Sequence, residues 1–513
     1  MTAKEGAYTP PPEVYQAGSA TYGTLFRESA SLNSERTALI EGARSQSYAE
    51  LNERSDRMAR VLLDRGLDRG DRVALLTRNC IEFVEVELAA AKIGAISVNL
   101  NWRQTPAELA HCICLTEPSF IVSGEEFVAS LRGAGWETDL VIGRDYNAAL
   151  NAVDPADLPS VYVEGEDGLC ILFTSGTTGM PKGALISHRA MVARALIFAT
   201  ETGAPKDDTF IAWSPLFHMG SNDFTLATLL RGGQIVIIDG YDADKMIDAI
   251  EEYAVHYLTV VPGMIEDFIT HFKARGAKPK PIGLIGAMAD LVPRPLLKEI
   301  TTLLNAPYFN TFGSTETGNP PASASLIDVG EAPESLSKKQ NDFCEIRLVD
   351  ADGNDVVDGE PGELAIRGPS VFSGYWGNDA ANQEAFRGGW FHMGDVFRRN
   401  ADGSLDFVDR VKYMIKSGGE NIYPAEIEQH IMVDERILDV AVVRKSHEKW
   451  GEVPVVFAAR SDKALTPEDV IGMCRGRIAN YKLPKEVHFI EMDDLPRSTS
   501  GKIQRHILEE RLR

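Results

Sequence analysis

Short apolar runs alternate with segments of helical hydrophobic spacing from about residue 71 to residue 311. The apolar runs predict buried strands over 71–77, 95–100, 169–174, 209–213, 234–238, 257–261 and 282–285. The helical spacing predicts helices over 80–93, 190–200, 244–253, 264–273 and 293–304. This alternation favours mostly parallel sheets covered by helices, which is an α/β architecture.

The pattern changes after about residue 340. Asp352-Gly353 and Asp402-Gly403 each lie between strand-like runs, which is typical of β-hairpins. We therefore expect a large N-terminal domain over 1–410 that includes a β-rich subdomain over 340–410. Beyond it, a small α+β C-terminal domain over 411–513 is predicted, with helices and strands in chain order at 425–433, 438–443, 453–459, 467–480 and 487–491.

The charge balance narrows the classes of partner. With 75 acidic against 52 basic residues, the net charge is −23, so nucleic acid and anionic membranes are repelled on average. Residues 411–513 contain equal numbers of acidic and basic residues, and the whole excess therefore lies in 1–410. No apolar run approaches the ~18 residues of a membrane span, and the first residues have no apolar signal-peptide core. A soluble protein of the cytoplasm is expected.

Cysteine and histidine spacing gives no metal site. The six cysteines are scattered, and Cys112 and Cys114 match neither a redox pair nor a zinc knuckle. Buried free thiols are the expectation. The ten histidines show no paired-ligand spacing.

The segment 172–183 carries the strongest chemical signal. A strand ends there in a loop of glycines and hydroxyl residues that is followed by Lys182. Backbone N–H groups, hydroxyls and a lysine together form a phosphate-binding loop. The spacing fits neither the P-loop nor the dinucleotide fingerprint.

Seven further segments accompany this loop, and together they resemble the adenylate-forming superfamily, which includes acyl-CoA synthetases, luciferases and peptide-synthetase adenylation domains. The resemblance covers most of the chain, with the motifs in the order of the superfamily. They are 174–183, 215–220, 309–316, 362–368, 391–395, 409–412, 417–424 and 496–502.

The resemblance implies a ligase with two half-reactions. A carboxylic acid reacts with ATP to give an acyl-adenylate and pyrophosphate, and coenzyme A then displaces AMP to form a thioester. Catalysis of the first step depends on positioning and on charge neutralisation, for which Mg²⁺ is expected. The expected partner is a small carboxylic acid, with no nucleic acid and no integral membrane segment, and a homodimer is left open.

The resemblance also implies a role for each motif residue. Lys502 bridges the carboxylate and the α-phosphate, Thr315 contacts the α-phosphate, and Glu316 binds Mg²⁺. Lys412 is the hinge about which the C-terminal domain rotates as a lid. The remaining assignments are β- and γ-phosphates (Thr174, Ser175, Gly176, Thr177, Thr178, Gly179 and Lys182), adenine (Asn310, Thr311 and Phe312), ribose and phosphates (Asp395 and Arg410) and the coenzyme A tunnel (Ser417, Gly418 and Gly419).

Two of these segments have a plainer interpretation as well. Thr315-Glu316 is also compatible with a helix N-cap followed by an acid in the first turn. Asp395 is also compatible with a turn residue after Gly394.

The residues of the expected acyl pocket indicate the class of the acid. His218 is expected in the acyl pocket, where the peptide-synthetase branch commonly has an aspartate, and it favours an acid without an α-amine. Asn222 and Asp223 are expected to cap a helix that begins near Phe224, and the alternative is contact with a polar substituent of the acid. The other pocket residues are Trp213, Phe217, Met219, Gly286, Ala287 and Met288. A hydrophobic fatty, aryl or alicyclic acid is the predicted range.

Three alternatives stay open. A luciferase-like oxygenase or an adenylation-only relative would share the first half-reaction. A catalytically inactive scaffold would be expected to lose Lys502, Glu316 or Asp395, all of which are present.

Overall fold

The computed structural model describes residues 11, 14, 18–159, 161–174, 180–418, 420–497 and 503–512. By internal contacts the chain forms two compact units. The first comprises residues 1–345 and 367–386, and the second comprises residues 346–366 and 387–513. The predicted boundary at 410/411 is different in kind, because it separates the part expected to rotate during the reaction from the part expected to stay fixed. It stays a prediction.

The helices match most of the predicted segments. They are α1 (Tyr22–Leu32), α2 (Tyr48–Asp64), α3 (Ile81–Ile93), α4 (Pro106–Thr116), α5 (Val128–Gly133), α6 (Tyr146–Asn151), α7 (His188–Thr202), α8 (Met219–Leu230), α9 (Ala243–Glu252), α10 (Ile265–Arg275), α11 (Arg294–Leu304), α12 (Asp379–Ala385), α13 (Pro424–Ile431), α14 (Pro467–Cys474) and α15 (Arg505–Glu510).

The strands form sheets in both units. They are β1 (Thr37–Glu41), β2 (Arg44–Ser47), β3 (Arg72–Leu76), β4 (Ile96–Asn99), β5 (Phe120–Gly124), β6 (Leu140–Ile142), β7 (Gly168–Thr174), β8 (Lys182–Ser187), β9 (Thr209–Ala212), β10 (Gln234–Ile237), β11 (Val255–Leu258), β12 (Ile282–Ile285), β13 (Tyr308–Phe309), β14 (Gly313–Ser314), β15 (Gly318–Pro321), β16 (Leu326–Ile327), β17 (Glu345–Val349), β18 (Pro361–Arg367), β19 (Gly374–Tyr375), β20 (Phe391–Arg399), β21 (Leu405–Arg410), β22 (Ile415–Ser417), β23 (Glu420–Ile422), β24 (Ile437–His447), β25 (Gly451–Arg460) and β26 (Glu486–Phe489).

Two large sheets build the first unit. One has the order β19-β8-β7-β4-β3-β5-β6, and the other has the order β16-β13-β12-β11-β9-β10-β1-β2. The inner strands are parallel, whereas β7 pairs with β8, and β1 with β2, in antiparallel fashion. This confirms the α/β class and the mostly parallel sheets.

Helix α3 lies between the two sheets, since it contacts β4 and β7 of one and β1 of the other. All thirteen of its residues are buried, including three glutamates. Each glutamate is held by a side chain of a different element: Glu82 by Arg44, Glu85 by Arg54 and Glu87 by Asn222. Side-chain partners of this kind are what make buried carboxylates tolerable.

The second unit is β-rich, as expected for the region after 340. It contains a four-stranded sheet with the order β17-β18-β20-β21 and a five-stranded sheet made of β22 to β26. Helices α13, α14 and α15 accompany the five-stranded sheet. The turn at 400–404 joins β20 and β21, and Gly403 in this turn has a left-handed φ of +84°, which confirms the hairpin predicted from Asp402-Gly403.

Local sequence explains where several helices begin. Ser187 accepts a hydrogen bond from the backbone N–H of Ala190 and caps α7. Ser47 with Glu50 forms a capping box at α2, and Thr466 with Asp469 forms another at α14.

Two predictions about local structure are wrong, and a third holds in part. The helix predicted over 467–480 ends at Cys474, because Arg475 is extended and Gly476 has a left-handed φ of +75°. Asn222 and Asp223 do not cap a helix but lie inside α8, which His218 caps. The expectation that the thiols are buried holds for four of the six free cysteines, whereas Cys114 is exposed and Cys344 is half-buried.

Among the described residues, no helix is both long and apolar enough to span a bilayer.

Candidate active site

The phosphate-loop segment joins two antiparallel strands at one end of the seven-stranded sheet. Thr174 ends β7 and Lys182 begins β8, and the two residues are register partners. The intervening predicted residues Ser175, Gly176, Thr177, Thr178 and Gly179 lie outside the described residues. The two ends of this segment, Thr174 and Lys182, therefore lie side by side on neighbouring strands.

Lys182 contacts a tyrosine that the sequence analysis did not identify. Its Nζ lies 4.9 Å from the centroid of the Tyr375 ring. Tyr375 belongs to β19, which pairs with β8, and its hydroxyl donates a hydrogen bond of 2.8 Å to Oε1 of Glu316. One aromatic side chain thus connects the phosphate-loop lysine with the predicted Mg²⁺ ligand.

Glu316 lies in the turn between β14 and β15, so the alternative interpretation of Thr315-Glu316 as a helix N-cap is wrong. The backbone N–H of Phe372 donates to the Glu316 carbonyl at 2.7 Å, which fixes the main chain at this point.

The residues present fit a magnesium ion. Mg²⁺ is usually bound by one or two carboxylates together with substrate phosphates. The half-buried Glu316 supplies such a carboxylate, and its bond to Tyr375 uses only part of its capacity to accept. The part of the chain that the structure describes contains no group of three or more candidate metal ligands.

Arg194 donates a hydrogen bond to the backbone of Thr315, and the motifs of the sequence did not include this arginine. Nη2 of Arg194 donates to the Thr315 carbonyl at 3.0 Å, and Nη1 donates to Oδ2 of Asp223 at 3.0 Å. Arginine 194 follows the helical pattern of α7 without any motif, so the sequence offered no signal for it.

The predicted adenine-contacting stretch follows β13. Asn310 is buried, and its Nδ2 donates to the carbonyls of Leu336 and Ser337 at 3.2 Å. Its Oδ1 accepts from Nζ of the fully buried Lys338 at 2.5 Å. Both ends of the Asn310 amide are thus bonded within the protein, and its contact with adenine stays a prediction.

The neighbours of Asn310 are more accessible. Thr311 and Phe312 are half-buried. Oγ1 of Thr311 accepts from the backbone N–H of Met288 at 3.1 Å. This bond links the predicted adenine stretch directly to the predicted acyl-pocket turn.

The first acyl-pocket segment ends at the N-terminus of α8. Nδ1 of His218 accepts from the backbone N–H of Gly220 at 3.1 Å, and the residue is exposed. Phe217 packs edge-on against Trp102 with 6.4 Å between the ring centroids, and Met219 begins the helix. Trp213 is buried, and its Nε1 donates to the Thr259 carbonyl at 2.7 Å.

The second acyl-pocket segment is a turn after β12. Gly286 has φ +77°, and a Cβ there would lie 2.1 Å from the ring of Tyr308. The Tyr308 hydroxyl bonds the N–H and the carbonyl of Ala287. Met288 is left-handed at φ +52° and is 36% exposed. The space beside Gly286 is therefore filled by the ring of Tyr308.

The second unit contains the predicted ribose-binding residues. Asp395 is buried in β20, opposite Arg410 in β21. Nε of Arg410 donates to Oδ1 of Asp395 at 2.8 Å, and Nη2 donates to Oδ2 at 3.3 Å. The alternative interpretation of Asp395 as a turn residue is wrong. Lys412 follows in an exposed turn, with Nζ 4.8 Å from the centroid of the Tyr413 ring.

The predicted coenzyme A loop follows the hinge segment. Ser417 is buried, and Gly418 has φ +62° with its N–H donating to the Trp450 carbonyl at 2.8 Å. A Cβ at Gly418 would lie 2.8 Å from the Trp450 ring, so only glycine allows this approach. Gly419 and Lys502 lie outside the described residues.

Comparisons with known proteins agree over nearly the whole chain. The profile of the AMP-binding enzyme family matches residues 26–376, and that of the AMP-binding enzyme C-terminal domain matches residues 426–502. Indoleacetate–CoA ligase of Aromatoleum aromaticum is 34% identical and covers 93% of this chain and 95% of its own length. Feruloyl-CoA synthase of an Amycolatopsis species is 32% identical, with 92% and 95% covered.

A solved structure extends the likeness to three dimensions. The o-succinylbenzoate CoA synthetase of Bacillus subtilis, in complex with its acyl-adenylate intermediate, has a TM-score of 0.81 and is 26% identical. The match covers 94% of this chain and 97% of that one.

Proposed function

The chain belongs to the AMP-binding enzyme family and is an acid–thiol ligase, and we propose that it joins a hydrophobic carboxylic acid to coenzyme A through an acyl-adenylate. The observation that carries this proposal is the hydrogen bond from Tyr375 to Glu316, beside Lys182. It brings a carboxylate suited to Mg²⁺ next to the cation of the phosphate loop, within one unit of the chain.

In the first half-reaction a carboxylate oxygen of the acid attacks the α-phosphorus of ATP. The bond from that phosphorus to the bridging oxygen breaks, and pyrophosphate leaves with the electron pair. The 174–182 loop binds the β- and γ-phosphates. Glu316 would supply a carboxylate ligand for Mg²⁺. When bound, Mg²⁺ neutralises phosphate charge. Lys502 stabilises the negative charge between the acid and the α-phosphate.

In the second half-reaction the thiol sulfur of coenzyme A attacks the acyl carbon. The carbon–oxygen bond to AMP breaks, AMP leaves, and the thiol proton passes to solvent. We propose that the chain beyond 410 rotates about Lys412 between the two steps. The close backbone approach at Gly418 supports a narrow passage for the thiol arm.

We propose an aryl acid rather than a long-chain fatty acid. The names of the relatives, which act on indoleacetate and ferulate, support this choice. So does the packing beside Gly286, where Tyr308 fills the space and the Tyr257 hydroxyl donates to the Gly286 carbonyl at 3.0 Å. Tyr257 in turn packs on Phe224 with 4.7 Å between the ring centroids. We expect a short, flat acid to suit a pocket whose wall at Gly286 is backed by such buried rings.

The test is acid-dependent exchange of pyrophosphate into ATP across a panel of aryl, alicyclic and fatty acids. We expect exchange with aryl acids and a loss of at least about a hundredfold in Lys502→Ala, as for removal of a group that stabilises developing charge. The exposed Lys463 provides the matched control, since Lys463→Ala changes a lysine of the same unit.

The other outcomes separate the alternatives. If no acid of the panel supports exchange, that result would contradict the ligase proposal and favour an inactive scaffold. Exchange without thioester formation on adding coenzyme A would indicate an adenylation-only relative, and oxygen consumption with light emission would indicate a luciferase. The cytoplasmic location and the homodimer stay predictions from the sequence.

A further inference from the structure

Arg194 is a buried arginine whose guanidinium bonds three different segments. Its side chain is 3% exposed. Besides its bonds to Asp223 and to the Thr315 carbonyl, its Nε donates to the Ser370 carbonyl at 3.1 Å. The planar fork of arginine directs its N–H groups in fixed directions, so the three acceptors are held relative to one another.

Two of these acceptors belong to the chain segments that carry and support Glu316. Thr315 precedes Glu316 in the chain. Ser370 begins the short segment that continues to Phe372, whose N–H donates to the Glu316 carbonyl, and to Tyr375, whose hydroxyl donates to its carboxylate. A single side chain thus fixes both the turn that carries Glu316 and the segment that supports it.

The turn is shaped to receive this side chain. Gly318 has φ +73°, and a Cβ there would lie 2.8 Å from Cδ of Arg194. The stem of Arg194 therefore passes directly over the backbone of Gly318. Only a glycine leaves room for the arginine and tolerates this backbone conformation.

The third acceptor connects the turn to the acyl pocket. Asp223 lies on α8, the helix whose first residues include Met219 and whose N-cap is His218. Ser221 of the same turn bonds Ser214, in the segment that precedes the helix, at 2.7 Å. The N-terminal turn of α8 is therefore tied to Arg194 on one side and to the acyl-pocket segment on the other.

We propose that Arg194 is a positioning residue that holds Glu316 in place and couples the Mg²⁺·ATP side of the site to the acyl-pocket helix through Asp223. This inference rests on the proposed function. If Arg194 couples the two sides, the acid and ATP influence each other's binding. The coupling runs through the contacts from α8 and its Asp223 to Arg194 and then to Thr315.

The test compares Arg194→Lys with Arg231→Lys. Arg231 is a largely buried arginine, with 12% of its side chain exposed, and it is also paired with an aspartate, Asp208 at 3.4 Å, but it has no bond to Thr315 or Ser370. Lysine keeps the charge opposite the aspartate and loses the fork. The first readout is hydrogen exchange of the backbone amides of 314–318 in the ligand-free protein. The second is the Mg²⁺ concentration that half-saturates pyrophosphate exchange.

We expect Arg194→Lys to lose amide protection at 314–318 and to need about tenfold to a hundredfold more Mg²⁺, the effect typical of removing the support of a metal ligand. Arg231→Lys should match the wild type in both readouts. If Arg194→Lys folds and shows wild-type protection and Mg²⁺ dependence, the proposal is overturned.

A second variant covers the case in which Arg194→Lys does not fold. Asp223→Asn keeps the shape and removes the charge facing Arg194, so the effect of the acid on the apparent affinity for ATP should disappear. An unchanged effect would overturn the coupling. If no acid supports exchange in the wild type, the proposed function fails, while amide protection at 314–318 still decides the role of Arg194.

Discussion

The phenol of Tyr375 donates a hydrogen bond of 2.8 Å to Glu316, and the face of the same ring lies 4.9 Å from the ammonium of Lys182. A cation over an aromatic face and a hydroxyl on a carboxylate are separate interactions, and here one side chain makes both. Tyr375 therefore links a positive and a negative group of the site and fixes the place of each.

Tyr375→Phe should therefore weaken the Mg²⁺·ATP side of the site while leaving Lys182 in place. A hydrogen bond to a charged group contributes about 1.5–3 kcal/mol, which corresponds to roughly tenfold to a hundredfold. We expect the half-saturating Mg²⁺ concentration in pyrophosphate exchange to rise by that factor. Tyr253→Phe is the control, because it removes a 2.8 Å bond to the exposed Glu252. An equal rise in both variants would contradict the role given to Tyr375.

Gly286→Ala should destabilise the fold rather than alter the choice of acid. A Cβ would lie 2.1 Å from the Tyr308 ring, and the φ of +77° disfavours any side chain. Overpacking of this kind costs about 1–3 kcal/mol, with left-handed strain in addition. Urea unfolding measures the loss. Gly263→Ala, with no atom within 4 Å of the added Cβ, should be near neutral. A stable Gly286→Ala protein with a changed acid preference would contradict this expectation.

Glu87 should make stability depend on pH. Its carboxylate is bonded by the neutral side chains of Asn222, Asn99 and Ser97, and burial raises its pKa from 4.5 to about 7, with nearby Asp223 adding to the effect. The folded state then holds a proton that the unfolded state has released between pH 4.5 and 7. The free energy of unfolding therefore falls as pH rises through that window and is constant, as far as Glu87 is concerned, on either side of it.

Glu87→Gln removes this penalty. Relative to the wild type, we expect a gain at pH 8 that exceeds the gain at pH 5 by up to about 3 kcal/mol. Urea unfolding at the two pH values measures the difference. Glu137→Gln changes a glutamate that is 74% exposed and should show no such dependence. A pH-independent difference for Glu87→Gln would contradict the assignment.

Arg505 should be important for the stability of the second unit. Its Nη2 donates to both oxygens of Glu428 at 2.6 and 2.7 Å, and its guanidinium carbon lies 4.4 Å from the centroid of the Tyr413 ring. Arg505→Met leaves the Glu428 carboxylate without its cation, which costs about 3 kcal/mol.

Adding Glu428→Gln to Arg505→Met should recover most of that loss, as measured by thermal unfolding. Arg436→Met breaks a surface pair with Asp434 and should change the free energy of unfolding by less than about 1 kcal/mol. If the double variant is no more stable than Arg505→Met, the loss does not come from an uncompensated carboxylate.

The fold was largely predictable because each element of the parallel sheets has a simple hydrophobic pattern. The strand predicted over 282–285 and the helix over 293–304 agree with β12 and α11 to within one residue. The end of α14 was missed because it depends on the backbone at Gly476 rather than on side-chain periodicity. Helix α8 was predicted to begin too late because its cap is a histidine, which is not among the usual capping residues.

For the site, the sequence identified the residues expected to touch substrates but not the residues that support them. Glu316 and Asp395 stand in recognisable motifs. Arg194 and Tyr375 act through contacts between segments more than 50 residues apart, as in the separations of 121 between Arg194 and Thr315 and 59 between Tyr375 and Glu316. No local pattern encodes such a pair. The packing of Tyr308 beside Gly286 could not be predicted from the sequence either, because Tyr308 reaches that space from the next strand.

Helix α3 limits how early the interior of the first unit can be completed while the chain is being synthesised. It is buried between the two sheets, and its partners Arg44 and Arg54 precede it in the chain, whereas Asn222 comes 135 residues after Glu87. A ribosome releases the helix long before Asn222 exists, and until then Glu87 lacks the amide that bonds both of its oxygens. The interior of the first unit is therefore completed late during translation, when the chain has grown past residue 222.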